Sequence, residues 1–387
     1  MKKKLVLIEN ICERRLLEYD KLNRYLRYNN ISVQNDLDST DTLIFFSCGM
    51  KEDDTYQKVN QALEHGASVI VLGCAASMLK FHESDKLKLI CLQNIAELDS
   101  MLECSIGYDS VKESSCSFQR AHSINTYSQA IMTWDPRLFT PACHDVFSIK
   151  ISEGCSRKCS YCAIRKATGR LRSIPINDII SQMSDALSSR YSHFRIQCEN
   201  LSSYGEDIHL NMGMLLDEIG KIKQPFDIDL PDLHPDGLLR YFENIVHFIT
   251  QKNVYQIHIP VQSGSDSVLV QMNRGYSVKD LIQRLSFLRE LSSSTIFGTD
   301  IIVGFPGESE ADFEKTYNLL EEFSFNPIYI HGYCDKEDTP ASMMDCKVDA
   351  KTIETRIKLL QERFPYAASY INNYWGERYR IYESNNG

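Results

Sequence analysis

Residues 146–162 read VFSIKISEGCSRKCSYC, an apolar run that turns at Glu153-Gly154 into three cysteines, Cys155, Cys159 and Cys162. A short apolar run bounded by a glycine reads as a buried strand. The same kind of run recurs at Phe194–Cys198, Phe226–Leu230, Tyr255–Pro260, Thr299–Gly304 and Ile328–Gly332. Between the runs, Ile176–Arg190, Asn211–Lys221, Leu238–Ile249, Val278–Leu291 and Glu310–Phe323 carry apolar residues at helical spacing. Six βα repeats in about 200 residues predict a partial (βα)6 barrel, because a full eight-stranded barrel takes ~250. Functional residues then belong on the loops after each strand, and the three cysteines stand on the first of those loops.

Three thiolates at CxxxCxxC spacing can wrap one cubane cluster, ligating three irons and leaving the fourth open. A closed structural zinc site needs a fourth protein ligand. The local candidate, His144, precedes the strand and is not in the loop.

Upstream, strands and helices alternate: Lys4–Glu9, then helical Glu13–Tyr28; Thr42–Ser47, then helical Asp53–His65; Ser68–Gly73, then Lys88–Cys91. This order predicts a doubly wound parallel sheet, whose ligands bind beyond the carboxyl ends of the strands. Cys12, Cys48 and Cys74 each follow one of the first three strands. One such cysteine is ordinarily a small core residue; three at one sheet edge point to a shared thiolate site. The expected organisation is a cluster-bearing domain at 1–103, a linker at 104–143, the barrel at 144–348, and a C-terminal helix (Asp349–Trp375) with a residual strand (Tyr379–Tyr382) over 349–387.

Net charge is −10, the opposite of the balance usual in nonspecific nucleic-acid binders. The run Leu5–Ile8 behind the N-terminal lysines is too short for a signal-peptide core. No stretch approaches the ~20 apolar residues of a spanning helix. A cytoplasmic protein is expected, without membrane attachment. In such a compartment thirteen cysteines suggest metal or cluster ligation over disulfides. Cys91, Cys104, Cys116, Cys143, Cys198, Cys334 and Cys346 show no ligand spacing.

Other loops carry recognisable signatures: Glu199-Asn200 after the second strand, His258-Ile-Pro-Val-Gln262-Ser263-Gly264 and Met272-Asn273-Arg274-Gly275 after the fourth, and Gly304-Phe-Pro306-Gly307-Glu308 after the fifth. Together with the CxxxCxxC loop they resemble the radical S-adenosylmethionine (SAM) methylthiotransferases, which act on tRNA adenosines or a ribosomal-protein aspartate. The resemblance runs from about residue 4 to 380. It implies two four-iron four-sulfur clusters, one on Cys155, Cys159 and Cys162 with SAM on its open iron, and an auxiliary one on Cys12, Cys48 and Cys74. It implies reductive cleavage of SAM, hydrogen abstraction from an unactivated C–H bond, and transfer of a methylthio group to that carbon. An electron donor such as flavodoxin or ferredoxin would be a partner. Expected SAM contacts are Glu199 and Asn200 for the amino group, Gln262 and Ser263 for the ribose, and Arg274 for the carboxylate, with Tyr161 placed at SAM without a particular part of it assigned. Arg165, Lys166, Arg170 and Arg172, four cations in one short run, are expected to meet the substrate.

The sequence departs from the family pattern in two places. Ile11 and Arg15 flank Cys12 where Gly and Asn are usual, and Phe46-Ser47 precede Cys48 in place of Asn-Thr; such neighbours tune a metal centre. Members usually end in a small β-barrel, the TRAM domain, and Gly376–Glu383 resembles only its first strand. With the acidic balance, this leads to the expectation of a peptide or protein substrate over tRNA. Alternatives are a tRNA adenosine methylthiotransferase, a radical SAM enzyme whose auxiliary cluster serves an oxidation or cross-link, and a noncatalytic iron–sulfur or zinc RNA-binding protein.

Overall fold

The structure is a computed structural model, and it describes residues 5–10, 15–31, 33–34, 41–49, 52–112, 146–364 and 367–370. The chain packs as two compact units. The first takes residues up to 116 together with Ala163–Arg170; the second takes 117–162 and everything from Leu171.

In the first unit, β1 (Leu5–Asn10), β2 (Val33–Gln34), β3 (Thr42–Ser47), β4 (Ser68–Leu72) and β5 (Leu87–Ile90) form one parallel sheet in the order β2-β1-β3-β4-β5. The doubly wound sheet expected from the alternating pattern is present. Every residue of β3 is buried, as a strand covered on both faces must be. Successive side chains alternate between faces. Ile44, Phe46, Ile70 and Leu72 accordingly pack with Leu22, Tyr25 and Leu26 of the helix Leu16–Tyr28. Leu43, Phe45, Val69 and Val71 pack with Val59 and Ala62 of the helix Glu52–Glu64. Ala167, on the short helix Ile164–Thr168, joins the first of these clusters. The chain thus lends this unit a turn of helix directly after Cys162.

The second unit is a seven-stranded parallel sheet in sequential order: β6 (Val146–Lys150), β9 (His193–Gln197), β10 (Asp227–Leu230), β11 (Asn253–His258), β12 (Ile296–Val303), β13 (Ile328–Gly332) and β14 (Ala367–Tyr370). Isoleucines 149, 196, 228, 257, 301 and 330 pack with the surrounding helices. The alternate positions bear polar groups, among them Lys150, Arg195, Asp229, His258, Asp300 and His331, so the inner face of the curved sheet is charged.

The six expected βα repeats are present with one further strand at the sheet edge, and one expectation changes: the last helix runs Ala350–Arg363 instead of reaching Trp375. Phe364 is extended, as a residue before proline prefers, and Pro365 cannot continue a helix. The chain then adds β14 beside β13, Ile328 opposite Ala367. The expected strand Tyr379–Tyr382, Trp375, most of the linker, Cys116, Cys143 and His144 lie outside the described residues, as does Cys12. Among the described residues no helix is long and apolar enough to cross a membrane.

Candidate active site

A two-residue antiparallel ladder forms the neck of the cysteine loop. β7 (Ser152–Glu153) pairs with β8 (Arg172–Ser173), Glu153 opposite Arg172. Arg172 Nη2 also donates to Glu153 Oε2 at 2.9 Å. Above the neck, Gly154 turns at φ +81°, a left-handed conformation that suits glycine. Its amide donates to Glu199 Oε2 at 2.7 Å.

The loop is then fastened through two of its three thiols. Cys155 Sγ accepts from Arg157 N at 3.4 Å and from Asn200 Nδ2 at 3.7 Å. Asn200 also donates to Ser203 Oγ at 2.7 Å, and its Oδ1 accepts from Ser202 N at 3.1 Å. Burial pushes the Cys155 thiol up, against these hydrogen bonds; ligation by a cation would reverse that balance. Arg274, buried at 4 % exposure, donates Nη1 to Cys159 Sγ at 3.4 Å and to Tyr161 Oη at 3.3 Å, and Nη2 to the Pro260 carbonyl. Burial pushes the Tyr161 phenol well above its usual range, with Arg274 pulling the other way. Ser160 N donates to Met272 O at 3.0 Å and Asn273 Nδ2 to Lys158 O at 2.8 Å, so the loop rests on the end of the helix Asp266–Gln271. All three thiols remain half-buried.

The expected SAM contacts separate into two groups. Gln262 is held at φ +77° between Asp300 O and Ile302 N, and its buried Oε1 has no hydrogen-bond partner. Arg274 Nε is likewise buried and without a partner. Such atoms are expensive unless something fills them, and they fit a polar cofactor. Ser263, by contrast, is fully buried, its hydroxyl beside Thr316 Oγ1 at 3.3 Å and the Ser265 amide at 3.2 Å. It holds the strand-end loop in place. Glu199 and Asn200 support the Gly154–Cys155 turn.

Sequence patterns missed several participants. Arg157 forms an ion pair with Asp236, which also accepts from Arg240 Nη2 at 2.8 Å. His234 lies buried in the loop after β10. Deeper in the sheet, Asp300 accepts from His258 Nε2 at 2.6 Å and His331 Nε2 at 2.8 Å. Asp229 accepts from His193 Nε2 and Arg195 Nε, both at 3.0 Å. The period-two alternation exposes these positions; nothing in it reveals which will pair.

Of the basic run, Arg165, Lys166 and Arg170 are exposed on the first unit, whereas Arg172 belongs to the neck of the second.

In the first unit Cys48 directly follows β3 and Cys74 follows β4 by two residues. Phe46 lies opposite Leu72 in the sheet, and Asn10, the last residue of β1, lies opposite Ser47. Two thiols are therefore brought to the same edge, next to the β1/β3 position where the strand order reverses, the usual ligand position of such sheets. The two loops touch: a Cβ on Gly49 would come within 2.6 Å of Met78 Sδ. Among the described residues no three His, Cys, Asp or Glu side chains are gathered closely enough to hold a single metal ion.

A family model described as the radical SAM superfamily matches residues 149–320, the part that carries this loop. The ribosomal protein uS12 methylthiotransferase RimO of Clostridium botulinum is 30% identical over 349 residues, covering 87% of this chain and 76% of that protein. The chain belongs to the radical SAM methylthiotransferases. Members of this family transfer methylthio groups and use SAM and two four-iron four-sulfur clusters. The human threonylcarbamoyladenosine tRNA methylthiotransferase is 28% identical over 361 residues. The match takes in 90% of this chain but 60% of the human protein, so the chain spans about three fifths of that relative's length. Among solved structures, the radical SAM methyltransferase TsrM of Kitasatospora setae superposes with a TM-score of 0.55 at 11% identity, covering 89% of this chain and 77% of that one. At that identity the likeness concerns the fold alone.

Proposed function

We propose that this chain adds a methylthio group to an unactivated carbon of a protein or peptide. The observation that carries the proposal is the three-thiol loop, whose sulfurs take hydrogen bonds from Arg157 N, Asn200 and Arg274. Donors of this kind orient thiolate ligands and tune the metal they hold. Cys155, Cys159 and Cys162 would hold one four-iron cluster, and Cys12, Cys48 and Cys74 the auxiliary one. When bound, SAM and the clusters supply the radical and sulfur-transfer chemistry.

The chain's own work is positioning. Gln262 and Arg274 offer unfilled polar atoms to the cofactor; Tyr161, Glu199, Asn200 and Ser263 set the loops that carry them. Arg165, Lys166 and Arg170 would meet the substrate from an exposed surface, with Arg172 keeping the neck. A low-potential donor of the flavodoxin or ferredoxin class would deliver electrons. The net charge of −10 favours a polypeptide over a polyanion, since the electrostatic part of nucleic-acid affinity comes from Lys and Arg neutralising phosphates.

The test is anaerobic reconstitution, followed by incubation with methyl-labelled SAM and either bulk tRNA or ribosomal and small-peptide fractions. Formation of 5′-deoxyadenosine with a methylthio mass increment on polypeptide is the expected result. Label on tRNA alone would overturn the substrate assignment, and a product lacking added sulfur would overturn methylthio transfer.

A further inference from the structure

His234 lies at the head of the helix Pro235–Arg240 and caps it: Asp236 N donates to Nδ1 at 3.2 Å. A ring nitrogen that accepts from an amide keeps its lone pair, so the neutral ring carries its proton on Nε2. Burial, reinforced by Arg274, Arg157 and Arg240, pushes the imidazole far below its usual range and keeps it neutral. The side chain is 4 % exposed, and Nε2 is buried without a hydrogen-bond partner. It is therefore a donor with no acceptor, a costly arrangement for a chain to keep.

Its surroundings specify what would fill it. His234 stands edge-on to Tyr276 at 6.3 Å between ring centroids, and the Arg274 guanidinium lies 6.0 Å from the same ring. Arg274 Nε is a second buried donor lacking a partner. Arg157 and Arg240 share the carboxylate of Asp236. Arg274 contacts a thiol, a phenol and a carbonyl, none of them a carboxylate. Two unfilled N–H groups beside an unbalanced buried cation suit an anionic, two-oxygen acceptor.

We propose that His234 Nε2–H and Arg274 Nε–H together bind a carboxylate at the cysteine loop, with His234 as a neutral donor. This rests on the functional reading above for the identity of the cofactor, and the carboxylate is assigned to the methionine end of SAM. A carboxylate of the polypeptide substrate is the other source of the same chemistry.

Dissociation constants of the anaerobically reconstituted protein would be measured by equilibrium dialysis for SAM and for decarboxylated SAM. His234→Ala is expected to weaken SAM about tenfold while leaving decarboxylated SAM at its wild-type value. His234→Gln, whose amide can reproduce the Nε2 donor, should recover part of the loss. If SAM is unaffected but an acidic substrate peptide binds more weakly, the carboxylate is the substrate's. Equal losses for both SAM forms, or no loss for any ligand, overturn the proposal. Nitrogen NMR of histidine-labelled wild-type protein gives a readout independent of any variant. A neutral ring protonated on Nε2 at pH 7 is required, and an imidazolium or an Nδ1–H ring would sink the idea. Tight SAM binding without methylthio product would overturn the functional reading and leave this one standing.

Discussion

Glu308 ends the Gly304–Glu308 turn after β12 and accepts from Gly304 N at 2.7 Å and Arg356 Nη1 at 2.8 Å. Burial nevertheless pushes its carboxyl up to about 7. A folded value above the unfolded one of ~4.3 means that the fold binds the extra proton. The resulting stability is present at low pH and lost as pH rises through about 7. A thermal-midpoint series should therefore fall from pH 5 to 8 in wild type relative to Glu308→Gln; parallel curves would contradict the assignment. Asp300 is the opposite case. Burial acts to raise it, but His258 and His331 carry it well below the ordinary range. Its contribution is present above the unfolded value of ~3.9 and fades as pH falls below it. Asp300→Asn should cost ~1–3 kcal/mol at pH 7, and the difference should close in acid. Equal denaturation midpoints at pH 7 would rule out an ionised bridge between the two imidazoles.

At the scale of elements, the loops leaving parallel strands carry the chemistry, and their backbones are set by close approach. Gly73 links β4 to the helix Cys74–Met78 at φ +88°, and a Cβ there would meet the Phe46 ring at 2.5 Å. Gly73→Ala should destabilise the first unit by about 1–3 kcal/mol and reduce occupancy of the auxiliary site. Calorimetry and iron analysis would show both effects, and unchanged values would mean that the loop has room to yield. The alternating pattern predicted most of these strands because long apolar runs advertise themselves. β14, Ala367–Tyr370, lacks such a run and exists because β13 offers it an edge. The neck ladder at Ser152–Glu153 and Arg172–Ser173 is too short for any periodicity to register.

For the molecule as a whole, the proposal requires two separate iron–sulfur centres, one in each unit. Replacing Cys12, Cys48 and Cys74 with alanine should halve iron and sulfide while SAM cleavage persists. Replacing Cys155, Cys159 and Cys162 should remove the other half and abolish cleavage. Iron content unchanged in the first variant would reject the auxiliary site. The same division separates what spacing along the chain reveals from what packing decides. The place of the CxxxCxxC loop and the succession of strands and helices were legible because both follow from spacing along one chain, through covalent reach and side-chain alternation. Cys48 and Cys74 were legible as positions at the sheet edge, since each follows a strand. Residue partners were not. That Arg274 would sit on Cys159, that Asp300 would hold two histidines, and that Ser263 would turn to Thr316 depended on elements far apart in sequence. Arg165, Lys166 and Arg170, read as one basic run with Arg172, were divided from it by packing, because Ala167 finds its apolar neighbours in the first unit. Sequence alone determined where three cysteines fall, on the loop after the first barrel strand, because their spacing is covalent. The tertiary structure alone decided which buried atoms, His234 Nε2 and Arg274 Nε among them, are left without partners, because hydrogen-bond satisfaction depends on every surrounding group at once.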